Sequence, residues 1–200
     1  LSQYQQAVQR GDWSRSQNFC LLDYPMFELA GKTMVIVGYG SLGQATAELA
    51  KAFGMRVLIA ERPDVTEVRP GRIAFNNALA LADVLSLHCP LTPATQHLLN
   101  RERLAQLKAG AVLVNTARGG LIETEALIAA LKSGQLLAAA LDVLETEPPP
   151  AEHPLLQCRL PNLLLTPHIG WASREARTRM VLKIAANIQN FVNSRMETRR

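Results

Sequence analysis

The chain has 200 residues, of which 48% are hydrophobic and 19% charged, with 12 Gly and 11 Pro. That is one large domain or at most two small ones, with enough apolar content for a packed core, which excludes disordered, collagen-like and low-complexity classes. The net charge of +4, from 21 basic and 17 acidic residues, comes without a long basic run, so the footprint of a nucleic-acid binder is missing, and no apolar run approaches the roughly 18–20 residues of a membrane span.

The amino end, Leu1-Ser2-Gln3-Tyr4, is polar and lacks Met. It reads neither as a signal peptide nor as a natural start, and a segment of a longer chain is expected. Leu1, Tyr4 and Val8 share one helical face, and Gly11 ends it. Trp13 to Glu28 then reads as an extended arm whose Trp13, Phe19, Leu21, Leu22 and Phe27 need a partner surface. Beyond it, candidate strands cover 34–37, 56–60, 72–75, 83–87, 111–115, 137–142 and 162–166. Several are nearly continuously apolar, as expected when both faces of a parallel sheet are covered.

Helical stretches lie between them. One over 42–53 stops at Gly54, a good left-handed terminator. Asn100 is placed to cap 101–107, and Thr124 to cap 125–132 with Gly134 just past its end. The stretch 146–160, with Pro148-Pro149-Pro150 and Pro154, reads as a stiff exposed loop. Ser173 precedes a long helix whose Met180, Ile184, Ile188 and Phe191 recur at helical spacing and are expected to face the core. Strand, helix, strand, repeated, predicts an α/β protein. Its core is a Rossmann-type doubly wound parallel sheet of about seven strands, preceded by a helix and an extended arm. The predicted organisation is a linker helix and arm over 1–30, a dinucleotide-binding domain over 31–170 and a carboxyl-terminal helix over 171–200. Cys20, Cys89 and Cys158 fit neither a disulfide framework nor a zinc site; reduced thiols in a cytoplasmic protein without a metal are the simplest reading.

Gly38-Tyr39-Gly40-Ser41-Leu42-Gly43 is a GxGxxG that follows a strand and opens a helix. That context turns a weak motif into a dinucleotide fingerprint. Gly38 permits the tight turn, Gly40 lets backbone approach a pyrophosphate, and Gly43 lets helix and strand pack closely. The amides of Ser41 and Leu42 sit at the positive end of the helix. Glu61 ends the next strand, 18 residues after Gly43, near the offset at which an acid bonds the adenosine ribose. A carboxylate there repels a 2′-phosphate, which favours NAD. The guanidinium of Arg62 next door keeps NADP as the alternative.

Three more strand ends carry polar groups. Arg118 stands beside Gly119-Gly120 after an apolar strand, poised to grip a carboxylate. Asp142, Glu145 and Glu147 follow the next strand, and His168 follows Thr166-Pro167 after the last. An acid beside the imidazole favours the imidazolium, a general acid for carbonyl reduction and, once neutral, a general base for alcohol oxidation.

Seven segments together, 19–25, 28–33, 38–43, 88–95, 115–120, 142–148 and 166–173, make a specific set over essentially the whole chain. On them the sequence resembles the NAD(P)-dependent D-2-hydroxyacid dehydrogenases, closest to the glycerate dehydrogenase (hydroxypyruvate reductase) branch. The resemblance implies an oxidoreductase that interconverts a small D-2-hydroxyacid and its 2-ketoacid, hydroxypyruvate or glyoxylate to glycerate or glycolate, by hydride transfer. It implies that Arg118 binds the substrate carboxylate and carbonyl oxygen, that His168 gives the proton and that Glu147 pairs with it. Asp142 is implied to orient the nicotinamide carboxamide. Thr116, Ala117, the His88-Cys89-Pro90 turn, Thr95 and Gly170 are implied to line the cofactor. Glu145 has no matched role and reads as solvated. The family's substrate domain has no counterpart here, and its cofactor domain forms a homodimer through the amino-terminal arm. An NADH-responsive dimerisation and interaction module of the corepressor type, without turnover, is the alternative.

Overall fold

A computed structural model describes residues 2–24 and 26–197. In chain order the elements are α1 (Ser2–Gln9), β1 (Thr33–Val37), α2 (Ser41–Ala52), β2 (Arg56–Ala60), α3 (Phe75–Leu81), β3 (Val84–Leu87), α4 (Arg101–Ala105), β4 (Ala111–Asn115), α5 (Thr124–Ser133), β5 (Leu136–Leu141), α6 (Pro154–Gln157), β6 (Leu163–Leu165) and α7 (Arg174–Glu197), with a 3-10 turn at Gly119–Leu121. The six strands among the described residues form one sheet in the order β2-β1-β3-β4-β5-β6, every pair parallel. The chain leaves β1 towards β2 and returns across it to β3, which makes the carboxyl ends of β1 and β3 the switch point where such sheets take ligands.

The apolar runs explain the layers. Val35, Ile36 and Val37 are consecutive and all buried, so both faces of β1 are covered. Val35 and Val37 join the large core with Leu79, Leu85, Leu113 and Leu127. Each fully buried leucine there contributes about 1.5–3 kcal/mol. Ile36 points the other way, towards α2, where a Cβ on Gly43 would lie 3.2 Å from its side chain. At the opposite edge of the sheet Asp83 accepts from the Thr33 N–H and pairs with Lys108, tying β1 and β3 to the segment before β4.

Five expectations are corrected. The predicted strand over 72–75 does not form; Ile73 makes one bridge, to Ala60, and Phe75 already begins α3. Thr124 is the first residue of α5 rather than its cap, and Glu123 takes the cap position. Asn100 does cap α4, accepting from the Arg103 N–H, although α4 ends at Ala105. The loop over 146–160 contains α6, which buries Leu155 and His153. Finally, Met180, Ile184, Ile188 and Phe191 do not face the core: every residue from 177 to 194 is exposed. A helical period specifies a stripe on the helix but not the surface that covers it.

The arm keeps its apolar residues outside. Trp13, Leu22 and Phe27 are exposed, and Phe19 is 91% so. Tyr4 anchors it to α1 by donating to the Tyr24 carbonyl, with the two rings edge to face. Leu1 lies outside the described residues.

Candidate active site

Glu61, His88, Arg118, Asp142 and His168 all follow carboxyl ends of parallel strands, so one edge of the sheet collects them. On the β1 side, Gly38 has φ +93, and a Cβ on it would fall 2.5 Å from the Cys89 amide nitrogen. Only glycine allows the β1 turn to press against the His88-Cys89 backbone. Gly40 is different. Its backbone is extended, and a Cβ on it would meet nothing within 4 Å. It borders open space at the start of α2, where no side chain caps the helix. The exposed amides of Ser41 and Leu42 and the glycine-bordered space suit a pyrophosphate, so the residues fit a dinucleotide.

A cavity of about 280 Å³ continues from this turn, lined by Gly38, Glu61, Arg62, Arg69, Arg72, Cys89, Pro90 and Thr95. Thr95 closes the turn after Pro90 by donating to the Pro90 carbonyl. His88 is half-buried against Ser86, its Nε2 2.9 Å from the Ser86 hydroxyl, and burial pushes its pKa down. Burial likewise pushes the Cys89 thiol up. Glu61 lies deeper than a ribose-facing acid would, under the guanidinium of Arg69. That hydrogen bond, against the opposing effect of burial, holds its carboxyl at about 2.

On the β4–β6 side three loops interlock. Asn115, fully buried, donates to the Arg118 carbonyl at 2.9 Å and accepts from the Ala117 N–H at 3.0 Å. It thereby locks the turn that carries Thr116, Ala117 and Arg118. The next residue, Gly119, has no room for a Cβ, which would fall 1.9 Å from the Leu144 backbone. The Arg118 turn therefore rests directly on the loop that leads to Glu147. Arg118 itself is exposed, with Nη1 donating to the Ala117 carbonyl.

Glu147 Oε2 lies 2.6 Å from His168 Nδ1, and Glu147 Oε1 accepts from the Leu144 N–H. Burial alone would raise the Glu147 carboxyl. The His168 and Leu144 hydrogen bonds, with the charges of His168 and Arg118, bring it below the usual range instead. An ionised Glu147 accepts a hydrogen bond from Nδ1–H and leaves Nε2 as the nitrogen free to exchange a proton. His168 has φ +54, rare for a residue with a Cβ; such strain persists only where the surroundings impose it. Asp142 imposes it here. Its carboxylate accepts from the Thr166 hydroxyl and from the Ile169 and Gly170 N–H groups at 2.9 and 2.8 Å, clasping the turn around His168. Against burial, those donors hold Asp142 below its ordinary value. An apolar hollow of about 550 Å³, walled by Pro148, Leu156 and Leu165, opens beside the His168–Glu147 pair.

Sequence reasoning missed Arg69, Asn115 and the clasp by Asp142. Glu145 is exposed, as expected, and its carboxylate also lies 2.8 Å from His97 Nε2 and accepts from Thr124.

Residues 1–170 match the family description "D-isomer specific 2-hydroxyacid dehydrogenase, NAD binding domain". The chain is 42% identical over 191 residues to a glycerate dehydrogenase of Methylorubrum extorquens, covering 94% of this chain and 59% of that protein. It is 39% identical over 195 residues to a hydroxypyruvate reductase of Blautia hydrogenotrophica, covering 96% and 60%. Among solved structures it is similar to the NAD-complexed D-isomer specific 2-hydroxyacid dehydrogenase of Lactobacillus delbrueckii, with a TM-score of 0.76 and 28% identity over 92% of this chain and 60% of that one. The chain thus spans about six-tenths of the length of these relatives.

Proposed function

The chain belongs to the D-isomer specific 2-hydroxyacid dehydrogenases, as their NAD-binding domain, and from that premise we propose that it works in an enzyme reducing a small 2-ketoacid, hydroxypyruvate or glyoxylate, to the D-2-hydroxyacid. When bound, a nicotinamide supplies the hydride. Arg118 grips the substrate carboxylate and polarises the neighbouring carbonyl oxygen. His168 delivers a proton from Nε2 to that oxygen, and takes it back when the alcohol is oxidised. Glu147 keeps the ring oriented through Nδ1 and stabilises the imidazolium. The backbone of 38–43 receives the pyrophosphate, and the 88–95 and 116–117 turns flank the cofactor.

The observation that carries this reading is the 2.6 Å pair of His168 Nδ1 and Glu147 Oε2, set at the same sheet edge as the glycine turn. Residues 31–170 form the dinucleotide-binding domain in this proposal, and the segment 171–200, which contains α7, borders a separate substrate domain. The exposed Trp13, Phe19, Leu22 and Phe27 of the arm pair with a second copy of the chain. The setting is the cytoplasm, in keeping with three free cysteines.

The test is NADH consumption by the complete enzyme with hydroxypyruvate, glyoxylate and pyruvate in turn. Consumption that needs a 2-ketoacid supports the reading. NADH binding without consumption of any 2-ketoacid favours an interaction module instead.

A further inference from the structure

A second histidine–glutamate pair starts from the same loop as the first. Glu145 lies two residues before Glu147. Its Oε1 is 2.8 Å from His97 Nε2, and its Oε2 accepts from the Thr124 hydroxyl at 3.4 Å. The His97 and Glu145 side chains are 43% and 36% exposed, and a pair so open adds little to stability. His97 nevertheless holds φ +48, a backbone that persists in a residue with a Cβ only where the surroundings impose it. A contact that contributes little to folding, yet is built on a strained residue, is placed for geometry.

The segments it joins are those that carry Arg118 and Glu147. The strip that begins at His97 runs beside the residues after Arg118. The His97 N–H donates to the Gly120 carbonyl, the Leu99 N–H to the Leu121 carbonyl, and the Glu123 N–H back to Leu99. No Cβ fits on Gly119, because the Leu144–Glu145 peptide occupies its place. Leu144 also gives its N–H to Glu147 Oε1. The backbone that abuts the Arg118 turn therefore also holds the acid of the His168–Glu147 pair. Gly119 stops that peptide from moving inward, and the Glu145 side chain, held by His97 and Thr124, restrains it from moving away.

We propose that Glu145 and His97 are a positioning pair for the reaction: they hold the Leu144–Glu145 peptide against Gly119 and so fix the Arg118 guanidinium relative to His168, without touching substrate or cofactor. The proposal rests on the roles assigned to Arg118 and His168 above. Two groups that act on one carbonyl oxygen must be aligned together, and a displacement near 1 Å costs up to about a hundredfold in rate. The loss falls on kcat, because each group still meets the substrate singly in the ground state.

Steady-state reduction of hydroxypyruvate or glyoxylate by the complete enzyme, with NADH binding followed by fluorescence, tests this. Glu145→Ala is expected to lower kcat by about tenfold to a hundredfold. The KM for the 2-ketoacid and the Kd for NADH should each stay within about twofold. Glu145→Gln keeps an acceptor for His97 and should retain most of kcat. His97→Ala should match Glu145→Ala, and the double variant should be no slower than either, because the two side chains act as one unit. An unchanged kcat in Glu145→Ala, from a wild type that reduces the 2-ketoacid, overturns the proposal and leaves Arg118 and His168 in their roles. Loss of kcat, NADH affinity and Tm together would make the pair an ordinary structural tie and overturn it too, as would single-variant losses that multiply in the double variant. A wild type that consumes no 2-ketoacid removes the assigned reaction, and this proposal with it.

Discussion

Glu61 and Glu147 stand at the same edge of the sheet, and each is paired with a basic side chain, but the two pairs are built for different work. Glu61 is sealed in, and its partner is a guanidinium, which stays charged at any working pH. The side chains of Glu147 and His168 remain 34% and 42% exposed, and the partner is an imidazole, the side-chain type that exchanges its proton near neutrality. A permanent partner and full burial give a fixed pattern of charge, suited to recognition. An exchangeable partner at an open mouth gives a group that can move a proton. The same carboxylate thus serves binding or chemistry according to what it faces and how deeply it sits.

The contrast breaks most visibly at the second pair. His168→Ala in the complete enzyme should lower kcat by about 10²–10⁴-fold, the usual worth of a positioned general acid, with a similar loss for Arg118→Ala; stopped-flow reduction of a 2-ketoacid measures both. Glu147→Gln should cost less, about 10–100-fold, because the ring stays but its proton arrangement is no longer enforced.

At the glycine turn, Gly40→Val should weaken NADH binding by at least about tenfold while Tm holds, because the new side chain enters open space meant for the pyrophosphate. Asn115→Ala should cost about 1–3 kcal/mol by leaving the buried turn around Arg118 unpaired, read by urea unfolding. The mildest effect belongs to the sealed pair. Glu61 is held at about 2 in the fold against an ordinary 4.5, so its stabilisation is fully present above pH 4.5 and fades as pH falls towards 2. Glu61→Gln should lower Tm at pH 7, with the gap to wild type closing across that window.

Much of the architecture was legible because parallel strands covered on both faces leave apolar runs such as 34–37 and 111–115, and because glycines stop helices at 54 and 134. The strand predicted over 72–75 was misread because three apolar residues after an arginine look alike whether they pair along their length or, as at Ile73, at one bridge. The long helix after Ser173 carries the right period, but period is silent about what lies opposite. At the site, His168, Glu147 and Arg118 announced themselves as polar residues following buried strands. The clamp on Glu61 did not, since Arg69 reaches back from an irregular loop that no periodicity describes. Asn115 sat in view as a polar residue ending an apolar strand, a turn signal, yet its two bonds to the Arg118 turn follow only from the folded backbone.

The central claim is that Arg118 and His168 converge on one substrate held over the nicotinamide. The direct measurement is a crystal structure of the complete enzyme with NADH and an unreactive 2-ketoacid analogue. The account predicts the pyrophosphate against Gly40, with the Arg118 guanidinium and His168 Nε2 both about 3 Å from the analogue's carbonyl oxygen. An analogue bound away from either side chain, or a His168 that meets it through Nδ1 with Glu147 released, would contradict it.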